Sequence, residues 1–241
     1  MKHFWIVRWD LRGCPPYRQR VLSHPAANLT VIRAGTAVEA GITGLVRGKF
    51  SYPLRGEGRV FGILFRPAGF SAFTDIPQSE LTERRLPLAE VFSLRGEAFQ
   101  RRLLAQPDRD EDLVACAETF LMSFKARLTL TDPMRLIQEL VDWIVAGREV
   151  TRVEQVASRA GMPTRSVQGL FQQYVGAGPK WVIQRSRLHE ATSRLTGGQD
   201  SAMDVAHALG YADQAHVSRD FKRVVERTPA AYARAARAGS S

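Results

Sequence analysis

Arg165, Gln168, Gly169 and Gln172 share one face of the segment TRSVQGLFQQY, whose other face is apolar through Val167, Leu170, Phe171 and Tyr174. Arginine donates two parallel hydrogen bonds to guanine O6 and N7, and glutamine pairs in a similar bidentate way with adenine. Such a row suits the base edges of a DNA major groove. The segment DQAHVSRDFKRVV repeats the arrangement. Val217, Phe221 and Val224 turn inward; Gln214, Ala215, Ser218 and Arg219 turn outward, with Lys222 one turn further on. Aligning Val167 with Val217 and Phe171 with Phe221 sets Arg165 on Ala215, Gln168 on Ser218 and Gly169 on Arg219, so each face keeps one arginine. On an isolated helix these residues would read as a solvated face; their duplication favours base reading. Gly169 costs its helix roughly 1 kcal/mol against alanine. Two explanations stand, a close approach to DNA or a tolerated defect.

The elements that must position these faces come in the same order twice. VEQVASRAGMPTRSVQGLFQQYVGAGP and MDVAHALGYADQAHVSRDFKRVVERTP each read as a short helix, a glycine, a polar cap, a second amphipathic helix and a proline. Gly161 and Gly210 mark the two turns, and Thr164 and Asp213 are the helix caps. Val153, Val156 and Ala157 supply the apolar face opposite the first reading helix, and Val205, Ala206 and Leu209 do so for the second. Two helix-turn-helix units in series predict a DNA-binding domain. Between them WVIQRSRLHEATSRL predicts one stiff helix ending at Gly197-Gly198, anchored by Trp181, Ile183 and Leu188. On one face of a duplex the two reading helices would then lie about 34 Å apart.

The chain of 241 residues has room for two domains. We expect an α+β protein: a β-rich domain, cupin-like or similar, over 1–130 with linker helices at its end, and an all-α domain with two helix-turn-helix units over 131–241. Phe4–Arg8, Leu29–Arg33, Leu45–Tyr52 and Val60–Arg66 are the strand candidates. Ala98–Leu104, Glu111–Leu128 and Leu136–Ala146 have helical periodicity, with Asp132-Pro133 as a start signal for the last. The tail AARAGSS predicts disorder. The net charge of +10 suits a polyanionic partner, but it is spread as +6 over 1–130 and +4 over 131–241 and so locates no site. No apolar run has membrane-spanning length, the N-terminal MKHFWIVRWD has no signal-peptide pattern, and Cys14 and Cys116 suit reduced thiols. A cytoplasmic protein without a membrane partner is expected.

Catalysis finds little support in the residues. The GxSxG, Walker A, HExxH and CxxC patterns are absent, and residues 1–130 hold only His3 and His24 as imidazole ligands. No catalytic residue, metal ligand or cofactor is assigned. Trp5, Trp9, Phe61, Phe65, Phe70 and Phe73 are read mainly as core, with a small-molecule cavity as the alternative. Arg66 suits an anionic ligand, a surface position or a carboxylate partner. The helix from Glu111 would serve a dimer contact or, more simply, pack on its own domain.

Residues 131–241 resemble the DNA-binding domain of the AraC/XylS family of bacterial transcription regulators, chiefly through RLHEA, DVAHALGY and HVSRDFKRVVERTPAAY in that order. The resemblance implies seven helices with two helix-turn-helix subdomains joined by a long helix, one monomer reading both halves of an asymmetric site. It implies base contacts from Arg165, Gln168 and Gly169 in the first unit, and from Gln214, Ala215, Ser218 and Arg219 in the second. Gly169 departs from the larger polar residues usual there. GILFRPAGF and ELTERRLPLAEVF are similar to a β-rich sensor-like domain found ahead of AraC-type domains in uncharacterised regulators. Together these imply a sequence-specific transcriptional regulator, not an enzyme, controlled by a ligand or partner at the N-terminal domain. The implied partner is double-stranded DNA; a small-molecule effector, RNA polymerase and a second copy of the chain are candidates. The alternative is a DNA-repair or other enzyme fused to the AraC-type domain.

Overall fold

Six β-strands open this protein, seen in a computed structural model that describes residues 3–125, 129–147, 149–196, 221–222 and 228–238. The chain divides into two compact units, Met1–Gln138 with Leu170–Ala177, and Glu139–Gly169 with Gly178–Ser241. In the first unit the strands are β1 (His3–Leu11), β2 (Tyr17–Leu22), β3 (Asn28–Ala34), β4 (Ala37–Thr43), β5 (Lys49–Leu54), β6 (Gly56–Leu64) and β7 (Arg85–Pro87). They form an antiparallel five-stranded sheet in the order β1-β6-β3-β4-β7 and a separate antiparallel pair, β2-β5.

The period of two sorts the large sheet into two faces. Phe4, Ile6, Leu29, Val31, Ile42, Phe61 and Ile63 turn to one side and form the core with four helices. These are α1 (Gln78–Leu81), α2 (Leu88–Phe92), α3 (Leu94–Ala105) and α4 (Asp110–Met122). Phe65, Phe70, Phe73, Phe92, Phe99, Phe120 and Phe124 pack there as a connected aromatic cluster, with Phe99 stacked on Phe120 at 4.2 Å between centroids. The helix begun near Glu111 thus packs on its own sheet through Leu113, Ala117 and Phe120. Among the described residues of this unit one charged side chain is buried: Arg59 meets Asp108 at 2.5 Å, and Arg8 joins them at 3.1 Å.

Strand expectations for β1, β3 and β6 agree with the structure, whereas Leu45–Tyr52 is displaced. Leu45–Gly48 is a loop, held by the Glu83 N–H on Leu45 O and by the Glu83 carboxylate on the Arg47 N–H, and the strand runs instead over Lys49–Leu54. Polar YRQRVL (β2) and alanine-rich AVEAGIT (β4) carried no strong strand pattern; pairing with β5, and with β3 and β7, makes them strands. This unit also includes Leu170–Ala177. The Ala68 N–H donates to Tyr174 O at 3.2 Å, and the Thr82 hydroxyl donates to Gly176 O at 2.9 Å.

In the second unit α6 (Val153–Ala160) and α8 (Pro179–Thr196) are followed by α9 (Pro229–Ala238); α5 (Asp132–Ala146) and α7 (Thr164–Tyr174) each contribute one part to either unit. Pro133 stands in the first turn of α5 and Pro179 opens α8, where a missing N–H costs nothing. On α8, Ile183 and Leu188 are buried, while half-buried Trp181 is covered by the Arg185 guanidinium at 4.6 Å. Thr228 caps α9 through its hydroxyl on the Ala231 N–H, and Tyr232 meets Phe221 edge to face at 5.5 Å. The tail is therefore not disordered from Ala235: helix α9 runs to Ala238. The expected sequence of a β-rich region followed by a helical one holds.

Candidate nucleic-acid interface

The first helix-turn-helix unit is built around one glycine. Gly161 ends α6 at φ +62°, a conformation only glycine adopts without strain. Its N–H donates to Ser158 O and that of Met162 to Ala157 O, the Schellman pattern that closes a helix C-terminus. At the other end of α6, the Gln155 side-chain oxygen accepts from the backbone N–H groups of Thr151 and Arg152 at 2.8 and 2.9 Å. Its amide donates to Glu149 O at 3.1 Å, so one glutamine fixes the entry of the helix. Sequence reasoning left that residue out, although glutamine three residues past a helix start is half of a capping box.

Three residues after Gly161, α7 begins at Thr164. The Ser166 and Val167 N–H groups both donate to Pro163 O, so the first bonds of the helix reach back beyond Thr164. Val167 and Phe171 are fully buried, as is Val156 on α6, and Ala157 beside it is buried. Arg165, Gln168, Gly169 and Gln172 are all exposed. Seven helical residues rise about 10 Å, the span of about three base pairs. Around Gly169 a Cβ would meet nothing within 4 Å, so this glycine is not required by packing.

In the second unit Gln214, Ala215, Ser218 and Arg219 lie outside the described residues, as do the cap Asp213 and the turn glycine Gly210. Lys222 is described, helical and exposed, beside buried Phe221. Arg159 lies over the Trp143 ring at 4.9 Å, a pairing that orders a basic side chain on α6.

The aromatic residues of the first unit divide between the two readings given above. Phe61, Phe65 and Phe70 are core, and Phe73 is packed against it. Trp5 and Trp9 instead line a cavity of about 290 Å³ between the large sheet and the β2-β5 pair. Arg66 is half-buried and does not line it. Cys14 is exposed, and burial raises the Cys116 thiol above its usual value. Among the described residues no group of three or more His, Cys, Asp or Glu could hold a metal ion, and no helix is long and apolar enough to cross a membrane.

Residues 156–235 match the family model described as a helix-turn-helix domain, and residues 1–87 match a domain of unknown function, DUF6597. The chain is 28% identical over 185 residues to the HTH-type transcriptional activator RhaS of Pectobacterium carotovorum, covering 69% of this chain and 66% of RhaS. The RhaS of Pectobacterium atrosepticum is also 28% identical, over 48% of its length. The chain thus spans about half to two thirds of these curated relatives. It is 30% identical to the DNA-binding domain of AdpA, a global transcriptional factor solved with a target DNA, covering 45% of this chain and 96% of that one with a TM-score of 0.42. ToxT from Vibrio cholerae shares the fold at 12% identity and a TM-score of 0.50, covering 96% of this chain and 97% of that chain. The C-terminal part of the chain thus carries an AraC-type helix-turn-helix domain, and a DUF6597 domain stands ahead of it.

Proposed function

We propose that this protein is a sequence-specific, double-stranded-DNA-binding transcriptional regulator, controlled by a ligand or partner at its N-terminal domain, and that it is not an enzyme. The observation that carries the reading is the exposed row Arg165, Gln168, Gly169 and Gln172 on a helix whose opposite face is buried at Val167 and Phe171 and half-buried at Leu170 and Tyr174. A polar row fixed by a packed back presents its donors in one register, which groove recognition requires. Gln214, Ala215, Ser218 and Arg219 would form the second reading face, with Lys222 beside it. We place the functional boundary near residue 130 and the protein in the cytoplasm, with RNA polymerase and a second copy of the chain as candidate partners. A fused repair activity would need an activated thiol. Burial moves Cys116 the opposite way, since the reactive form is the thiolate.

The test is Arg165→Ala, measured on a selected duplex and on random duplex of equal length. Loss of about 1–3 kcal/mol on the selected duplex alone, with relaxed preference at one or two positions, is expected. Equal losses on both would show that Arg165 touches only phosphate and would overturn its assigned role.

A further inference from the structure

The cavity of the first unit has a floor of unusual construction. In the register of the large sheet, Trp5 stands opposite Gly62 and Trp9 opposite Gly58. A Cβ on either glycine would fall inside the indole, so both rings lie down on β6 where no side chain intervenes. Their N–H groups are already engaged, Trp5 with Asn28 Oδ1 at 3.2 Å and Trp9 with Arg55 O at 3.1 Å. What the indoles offer the cavity is therefore flat apolar surface. The row through Trp5 and Gly62 continues to Thr30 on β3 and Gly41 on β4. Over Gly41 the pattern recurs with Arg85, whose Nε lies 3.2 Å from where a Cβ would stand. Arg85 Nη1 donates to the hydroxyls of Thr30 and Thr43 at 2.9 and 3.2 Å. A hydroxyl that accepts from a guanidinium keeps its own proton to donate. Both threonines line the cavity, and Val21, Phe50 and Leu54 close it from the β2-β5 pair.

Filled at interior packing density, about 290 Å³ holds on the order of a dozen non-hydrogen atoms, about two fused rings with one substituent. We propose that this cavity binds a planar, predominantly apolar molecule bearing one hydrogen-bond acceptor, which lies flat on Trp5 and Trp9 and meets the Thr30 and Thr43 hydroxyls with its acceptor. This rests on the reading of the N-terminal domain as the controlling one and names the chemistry it takes. An anionic acceptor gains from Arg85, which has no carboxylate within ion-pair distance among the described residues. Glu39 is the opposing charge, accepting from the Tyr52 hydroxyl at 3.4 Å on the next row of the sheet.

Titration calorimetry on the full chain with three probes tests this. They are 2-naphthoate (planar with an acceptor), indole (planar, donor only) and octanoate (the same acceptor on a flexible chain). We expect one equivalent of 2-naphthoate to bind at least tenfold more tightly than either control. Thr30→Val should weaken it about tenfold, and Val60→Phe, which fills the space between the two indoles, should abolish it. Urea midpoints run in parallel identify a variant that has lost its fold, and Thr30→Val, nearly isosteric, keeps the test valid if Val60→Phe does not fold. Octanoate or indole binding as tightly as 2-naphthoate, no binding of any probe, or binding indifferent to both substitutions would overturn the proposal. Duplex binding by the same preparation is read separately. Intact sequence-specific binding beside a silent cavity sinks this inference alone, and a working cavity without specific DNA binding sinks the regulator reading alone.

Discussion

Gly169 puts a residue-scale choice in plain terms. Its open surroundings mean that alanine meets no protein atom, so Gly169→Ala should raise stability by about 0.5–1 kcal/mol through helix propensity. Tighter or unchanged DNA binding by that variant would mark the glycine as a tolerated defect. Weaker binding despite greater stability would show a duplex pressed against the helix backbone. Asp108 carries a second residue-scale expectation. The buried Arg59 guanidinium, through its hydrogen bond, holds the Asp108 carboxyl below its ordinary value of 3.8, and Arg8 adds to this. A lowered carboxylate contributes stability that is complete above that ordinary value and lost as pH falls through the lowered one. Acid unfolding should therefore steepen below about pH 4. Asp108→Asn should flatten that limb and cost about 1–2 kcal/mol at neutral pH, less than a fully buried pair because Asp108 is half exposed. Urea midpoints from pH 2 to 7 for both proteins measure this; identical acid limbs would exclude Asp108 as their cause.

At the scale of elements, Gly161 and Gly176 favour glycine for different reasons. Gly161 has positive φ and free space, so Gly161→Ala should cost about 1 kcal/mol from backbone strain alone. Gly176 has φ +88° and a Cβ there would press on Gln78 O at 2.7 Å and on the Thr82 hydroxyl. Gly176→Ala should cost clearly more, because strain and overlap with backbone add. Equal urea midpoints for the two variants would contradict this account. Gly161 was legible in the sequence because it sits between two helical periods. Gly176 was not, since the Thr82 it meets is 94 positions away in the chain. The same limit explains the strands. β3 and β6 announce themselves through continuous buried apolar runs, whereas β2 and β4 are strands because of what they pair with. Thr228-Pro229 reads as the end of a unit in sequence, yet its threonine hydroxyl starts α9.

At the scale of the molecule, the order of a β-rich region and a helical one was legible, because the change from period two to period 3.6 survives without tertiary information. The exposed face of α7 was legible for the same reason: Val167 and Phe171 define its back. The cavity was not. Its cue was the pairing of Trp5 with Gly62 and Trp9 with Gly58, and that register joins strands some fifty residues apart in sequence. Only once β1 lies against β6 do two tryptophans and two glycines become a floor. We propose that one chain reads an asymmetric duplex with two tandem units. The most direct measurement is selection from a random duplex pool by the full chain at near-physiological salt, where general phosphate attraction is weakened. The account predicts one enriched asymmetric motif with two blocks about one helical turn apart, the first losing definition in Arg165→Ala. Retention of DNA without any enriched motif, falling off equally for all sequences as salt rises, would contradict it.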